Sequence, residues 1–343
     1  MRSSQSEAER SLDDVVAVAS RVCGERVIAA ERCGGSGNNR VYRVATASAT
    51  FAIKFYGSTE LDDRDRLAHE FDGLRFLKAC GIGAALPAAL AVDRTVRCAL
   101  YEWIDGVAPS DHGAPEIAAV LALLAALHHA RNAAAAQSLP PATEAVPRLS
   151  DLLDQIERRL ARLAPVAQSE PALAQFIDGE LRPELERRAA TLTGRNLELR
   201  LAQSQLTLSP SDFGFHNALR RADSSLGFID FEYFGWDDPV KLSADFLWHP
   251  GMQLGASERV QFAEGVMELY GDDPDFSARL SVCFPLYGIR WSLIILNEFL
   301  PLLWERRTFS GKGGDWTAAK REQLQKARTK LTAVRSYREG HYT

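Results

Sequence analysis

The hydrophobic period of this chain changes once, near residue 113, and that change limits the fold more than any other property. Before it, the runs VYRVA (41–45) and TFAIKFYG (50–57) alternate apolar and polar residues and favour β-branched and aromatic types, as half-buried strands do. The glycine loop CGGSGNNR leads into them, so they read as a β-hairpin. Residues 61–79 place Leu67, Phe71, Leu74 and Leu77 on one helical face and stop at Gly81, a suitable left-handed C′ residue. Two more strand-like runs follow, 88–92 and 97–104. After residue 113 the period is 3.6 almost throughout. Ile117, Val120, Leu121, Leu124 and Leu127 form one apolar stripe, and Leu149, Leu152, Leu153, Ile156, Leu160 and Leu163 form another, behind an N-cap expected at Ser150. Further helices are expected over 183–203, 258–270 and 279–300, and in this half only 218–221 and 226–231 read as strands, joined by the turn ADSS. The pattern predicts an α+β chain with a small sheet lobe carrying one helix, residues 1–102, and a large, mostly helical lobe, residues 103–343.

The chain has 343 residues, 46% of them hydrophobic and 25% charged, enough apolar mass for two such units. A net charge of −5 leaves no basic excess for a phosphate backbone, which argues against nucleic acid as a partner. Cys23, Cys33, Cys80, Cys98 and Cys283 are scattered, with no C-x-x-C spacing for zinc or redox chemistry. The opening MRSSQSEAERSLDDVV has no basic region followed by an apolar core, and no membrane-spanning run is apparent, so a cytoplasmic protein without membrane contact is expected.

Within SPSDFGFHNAL (209–219) stands Asp212-Phe213-Gly214, the letters that mark a metal-binding aspartate in protein kinases. That role requires a catalytic Asp and a following Asn shortly upstream, and the nearest upstream Asp is Asp178. Downstream the pattern fits: Asn217 follows Asp212 at the catalytic-loop spacing, and Asp230 follows across a short hairpin. Asp212 then takes the acceptor-side role, with Asn217 and Asp230 as oxygen ligands for Mg²⁺ bridging nucleotide phosphates. The N-terminal part supplies complementary groups. Gly34, Gly35, Ser36, Gly37 and Asn38 give backbone N–H groups access to phosphates, and Lys54 in AIK places a charge beside them. Glu70, at i−4 and i−7 from Leu74 and Leu77, puts a carboxylate next to the apolar face of its helix, where Lys54 needs a partner. The glycines enter a strand pair rather than a helix and Arg40 occupies the third glycine position, which excludes a dinucleotide fingerprint; there is no Walker-type loop either.

This ordered set, GGSGNNRVYRV, AIKFY, Glu70, YEWIDG, SDFGFHN and IDFEYFGWDDP, resembles the aminoglycoside phosphotransferase and choline kinase-like family, which shares the protein-kinase fold. The resemblance implies a two-lobed kinase-like architecture and an Mg²⁺-dependent transfer of a γ-phosphate from ATP or GTP to a hydroxyl of an aminoglycoside, sugar or amino alcohol. It also implies a nucleotide hinge around Glu102 to Ile104. Members usually carry His-Gly before the catalytic Asp, whereas this chain has Pro210-Ser211, so the backbone support of the loop must differ. A rival from another class is a pseudokinase-like nucleotide-binding module whose altered loop no longer turns over. A protein kinase is disfavoured by the missing A-P-E element. Asp237 and Trp236 are candidates for the acceptor pocket, as are Trp291 and Trp304; Asp238 and Asp245 read as braces, and His216 as a structural or substrate-edge residue.

Overall fold

The computed structural model describes residues 11–34, 39–57, 64–192, 194, 196–308 and 314–342, which fall into two compact units. One comprises residues 1–108 together with 218–234, the other residues 109–217 together with 235–343. The first break in the chain thus lies a few residues beyond the 102/103 boundary expected from the sequence, and the hairpin Ala218–Phe234 belongs with the N-terminal segment.

In the first unit, helix α1 (Leu12–Cys23) starts at Ser11, whose hydroxyl accepts the Asp14 amide while the Asp14 carboxylate accepts the Ser11 amide; it stops at Gly24, φ 76°. Five antiparallel strands follow, β1 (Ala29–Gly34), β2 (Asn39–Ala45), β3 (Thr50–Tyr56), β4 (Ala89–Asp93) and β5 (Cys98–Glu102), in the order β1-β2-β3-β5-β4. Alternation on β2 and β3 sends Tyr42, Val44, Ile53 and Phe55 to one face, where Val15, Val18 and Ala19 of α1 cover them. Helix α2 (Arg66–Ala79) buries Leu67, Phe71, Leu74 and Leu77 as its spacing predicts, and Glu70 is buried beside them. The short strands Ala218–Arg220 and Leu226–Phe228 pair with each other, and Phe228 donates its amide to Ala85, 2.8 Å.

In the second unit the helices Ala114–Ala130 and Leu149–Ala167 bury Ile117, Val120, Leu124 and Leu127, and Leu152, Ile156, Leu160 and Leu163, of the predicted stripes, while Leu121, Leu149 and Leu153 are half-buried. Arg148, rather than Ser150, is the N-cap of the latter: its amide donates to the Asp151 carboxylate at 2.8 Å, so the acidic residue at N3 sets the start. The helix expected over 183–203 is shorter. Pro171–Phe176 runs through a π-helical turn into Arg182–Ala189, and after one 3₁₀ turn the helix is over by Leu192. There the Thr191 hydroxyl binds the Arg188 carbonyl, 2.7 Å, and Gly194 turns left-handed at φ 83°. Two strands escape sequence reading, Thr207–Ser209 and Gly235–Asp237, which pair antiparallel; three residues are too few to establish a period. Phe276–Phe299 is long and apolar enough to cross a membrane, with a mean hydropathy of 1.4, but 72% of that window is buried inside the protein, as in a core helix. Trp316–Ser336 packs Leu324, Leu331 and Val334 inward, and of its basic residues Lys330 packs over the Trp248 ring, Lys320 pairs with Glu170 and Arg328 with Glu180.

Candidate active site

In the first unit, strand β3 and helix α2 bring Lys54 and Glu70 together, and the segment after the hairpin adds Asp230 and Glu232. The Lys54 ammonium lies 2.7 Å from Glu70, 2.5 Å from Asp230 and 3.0 Å from Glu232. Burial works against its charge, but the carboxylates, Glu70 foremost, outweigh that and hold the Lys54 pKa well above the usual range. Burial raises the pKa of Glu70 despite the pull of Lys54. Glu70 also accepts the Tyr56 hydroxyl at 2.6 Å and the Phe231 amide at 3.2 Å, so both carboxylate oxygens are used and the helix is fixed in rotation. Asp230 holds φ 69°, a left-handed conformation that a short polar side chain tolerates, and its side chain remains partly open to solvent. Glu232, buried, accepts from Asn39 and from Arg66. One carboxylate oxygen from each of Glu70, Asp230 and Glu232 lies within 4.8 Å of the other two, a set of hard donors of the kind Mg²⁺ takes.

A cavity of about 350 Å³ opens beside this cluster. Val41, Ala52, Leu219 and Ile229 give it apolar walls, with Lys54, Glu70, Asp230 and Glu102 as charged residues and Ile104 also on the lining. The Glu102 carboxylate accepts the Ala88 amide at 3.1 Å. Gly34 ends β1; Gly35, Ser36, Gly37 and Asn38 lie outside the described residues.

In the second unit, Asp212 follows Thr207–Ser209 across a bend. Ser211 adopts φ 67°, the region glycine enters without cost, at the very position where the family usually has Gly. Its hydroxyl offsets the strain, donating to the Thr143 carbonyl and accepting from Lys241, each at 3.1 Å. Asn217 donates to the Asp212 carbonyl at 2.9 Å, closing the loop. The Asp212 carboxylate is 42% exposed and meets His216 Nε2 at 3.0 Å. Burial raises its pKa, but the hydrogen bond from His216 and the nearby His249 and Lys241 prevail and lower it.

The letters Asp-Phe-Gly have a packing origin here. A Cβ on Gly214 would overlap the Met252 sulfur, which itself accepts the Phe215 amide at 3.3 Å. Met252 belongs to the turn carrying His249, whose ring stacks on His216 with centroids 4.0 Å apart and planes at 10°. Burial, then the adjacent His216 ring, pushes His249 down to about 4, so it is neutral at physiological pH. Sequence reading did not single out His249: it lies 37 positions after Asp212, and only the fold brings the two together.

Asp237 and Trp236, expected at the acceptor pocket, are built into the core instead. Asp237 is fully buried, accepting the Val146 and Asp238 amides at 2.8 Å and pairing with Lys241 at 3.1 Å. Trp236 is buried with its indole N–H on the Ala136 carbonyl, 2.9 Å. Both sit on the strand Gly235–Asp237, whose pairing consumes their exposure. Asp245 bridges Lys241 and Arg290, and Asp238 caps Pro239–Trp248, as braces do. Glu232, Asn39 and Tyr56 were also missed; each lies within or beside a quoted motif, and a polar residue bound for burial there was the available signal.

A sheet unit with a buried Lys–Glu–Asp cluster and a helical unit with an open loop aspartate define a kinase-like phosphotransferase. Residues 30–280 match the phosphotransferase enzyme family, and the chain belongs to it. Among solved structures, it is similar to spectinomycin phosphotransferase APH(9)-Ia crystallised with ADP and spectinomycin, at 12% identity over 96% of this chain and 99% of that one, TM-score 0.60. Choline kinase LicA from Streptococcus pneumoniae is 19% identical over 94% and 98%, TM-score 0.57. Plasmodium vivax ethanolamine kinase is 16% identical over 90% and 83%, TM-score 0.57. These likenesses support the two-lobed kinase-like α+β fold. No match was found among curated proteins.

Proposed function

We propose that this phosphotransferase moves the γ-phosphate of ATP or GTP to a hydroxyl of a small molecule, an aminoglycoside, sugar or amino alcohol. The observation that carries the reading is the Lys54 ammonium held between Glu70 and Asp230 at the mouth of an apolar-walled cavity. The cavity walls suit a nucleobase, and Lys54 suits the phosphates. Asp230 and Asn217 are the proposed Mg²⁺ ligands, and the ion would supply charge neutralisation on the phosphates. Asp212 orients the acceptor hydroxyl and takes its proton as the new P–O bond forms and the bond to the β-phosphate breaks, leaving nucleoside diphosphate. The proton then passes to solvent. Gly35 to Asn38 are proposed to cover the phosphates. The ADP in the spectinomycin phosphotransferase crystal supports a nucleotide donor.

The pseudokinase reading draws on Pro210-Ser211, but the Ser211 contacts to Thr143 and Lys241 supply loop support of another kind. That the five cysteines form no disulfide supports a reducing, cytoplasmic setting, and the acidic net charge supports a small-molecule rather than a nucleic-acid partner. The test is a panel of aminoglycosides, sugars, choline and ethanolamine with Mg-ATP and Mg-GTP, read by acceptor-dependent release of ADP or GDP. At least one acceptor should stimulate release well above the rate in water. Tight nucleotide binding with no acceptor-dependent release from any class would favour the binding module.

A further inference from the structure

His249 faces the same carboxylate oxygen as His216, but at a different distance. His216 Nε2 is 3.0 Å from Asp212 Oδ1, a hydrogen bond, whereas His249 Nε2 is 4.0 Å away, too far for one. The Gly251 amide donates to His249 Nδ1 at 3.1 Å, so in the neutral ring the proton sits on Nε2 and that N–H points toward Asp212. Two aromatic neighbours brace the ring. His216 stacks on one face, the Trp291 ring meets it edge-on at 4.7 Å, and Trp291 is anchored by its own N–H to Asp245 at 2.8 Å. A Cβ on Gly251 would come within 3.0 Å of the His249 ring, so glycine there keeps the seat open. An N–H donor and a carboxylate acceptor 4.0 Å apart are spaced to hold one oxygen between them. With hydrogen bonds of about 2.7–2.8 Å on each side, such an oxygen would subtend roughly a right angle, as an alcohol can.

We propose that His249 is an acceptor-binding residue: its Nε2–H donates to the acceptor hydroxyl oxygen while Asp212 accepts that hydroxyl's proton, and Gly251 fixes the tautomer that permits this. The proposal rests on the phosphotransfer reading and assigns its acceptor a hydroxyl with an accessible lone pair. The contact orients the nucleophile, so its loss should leave donor binding untouched.

Two measurements test it. Nitrogen-15 NMR of histidine-labelled protein reads the tautomer without any substrate, and slow hydrolysis of Mg-ATP uses water, the smallest hydroxyl the gap can hold. We expect His249 to be protonated at Nε2, and His249→Phe to slow hydrolysis about tenfold with ATP affinity unchanged. His249→Gln, whose amide N–H reaches the same place, should recover much of the rate and controls for folding. A ring protonated at Nδ1, or hydrolysis indifferent to His249→Phe, overturns the proposal. A wild type that neither binds nor hydrolyses Mg-ATP removes the phosphotransfer reading, and this assignment with it.

Discussion

Replacing Lys54 by Met removes the charge around which the carboxylates of the first unit are arranged. Glu70 and Glu232 are almost wholly buried, Asp230 is partly open, and one oxygen from each lies within 4.8 Å of the other two. Arg66, at 3.3 Å from Glu232, is left as the nearby cation bonded to the cluster. Breaking a buried ion pair from one side costs about 3–5 kcal/mol, because the abandoned charge stays desolvated. At roughly 2–4 °C per kcal/mol, the melting temperature should fall by about 6–20 °C near pH 8. The loss should depend on pH with a definite sign. Glu70 already has a raised pKa, and without Lys54 it rises further; a carboxyl with a raised folded-state pKa gives up stability as pH climbs through that value. The gap between variant and wild type should therefore be wider at pH 8 than at pH 5, where the cluster can take up a proton. Mg²⁺ without nucleotide should stabilise the variant more than the wild type, since the divalent ion finds the oxygens vacated by the ammonium. Scanning calorimetry at the two pH values, with and without magnesium chloride, decides the matter. Equal melting of variant and wild type at pH 8 would refute the argument.

Asp212→Asn should keep Mg-nucleotide affinity and lose turnover by about 10²–10⁴, whereas Asp230→Asn should weaken Mg-nucleotide binding itself, as isothermal titration with and without Mg²⁺ can separate; the reverse pattern would return the metal role to Asp212. Gly214→Ala should destabilise by about 1–3 kcal/mol through overlap with the Met252 sulfur, and that penalty should be smaller in a Met252→Ala background, a non-additivity that urea unfolding of the double-mutant cycle reads. His249 and His128 both have pKa values pushed down to about 4, by burial first and then by His216 and Arg131 respectively. Folded protein therefore binds fewer protons than unfolded between about pH 6.5 and 4, so stability should decrease as the pH is lowered across that window, with His249→Gln flattening the slope.

What could be read from the sequence was whatever a period or a spacing encodes over several residues. The β2–β3 hairpin, the phase of Glu70 on α2 and the order Asp212, Asn217, Asp230 all follow from local pattern. The Lys54–Glu70 contact could be anticipated because the helix phase leaves that carboxylate few directions to point. The strands Thr207–Ser209 and Gly235–Asp237 could not, being three residues each and defined only by one another. That omission misled the reading of Trp236 and Asp237, since residues that look like an exposed loop become core once the strands pair. His249 was invisible for a different reason: a histidine gains meaning from its neighbours, and its neighbours here come from Asp212, Gly251 and Trp291 on separate segments.

The Ala218–Phe234 segment also sets a timetable for synthesis. Asp230 leaves the ribosome 176 residues after the lysine it will bind, so at about 5–20 residues per second the nascent sheet waits roughly 10–35 s for it. During that interval Lys54 has Glu70 alone, and the helices of residues 109–217 are emitted before the N-terminal layer can close. The usual order, in which an N-terminal domain finishes before the next begins, is closed to this chain. A polypeptide halted before residue 230 pairs its lysine with Glu70 alone and lacks two of the three carboxylates, so the cluster that gathers excess negative charge for the chemistry is the last part of the N-terminal layer to be completed.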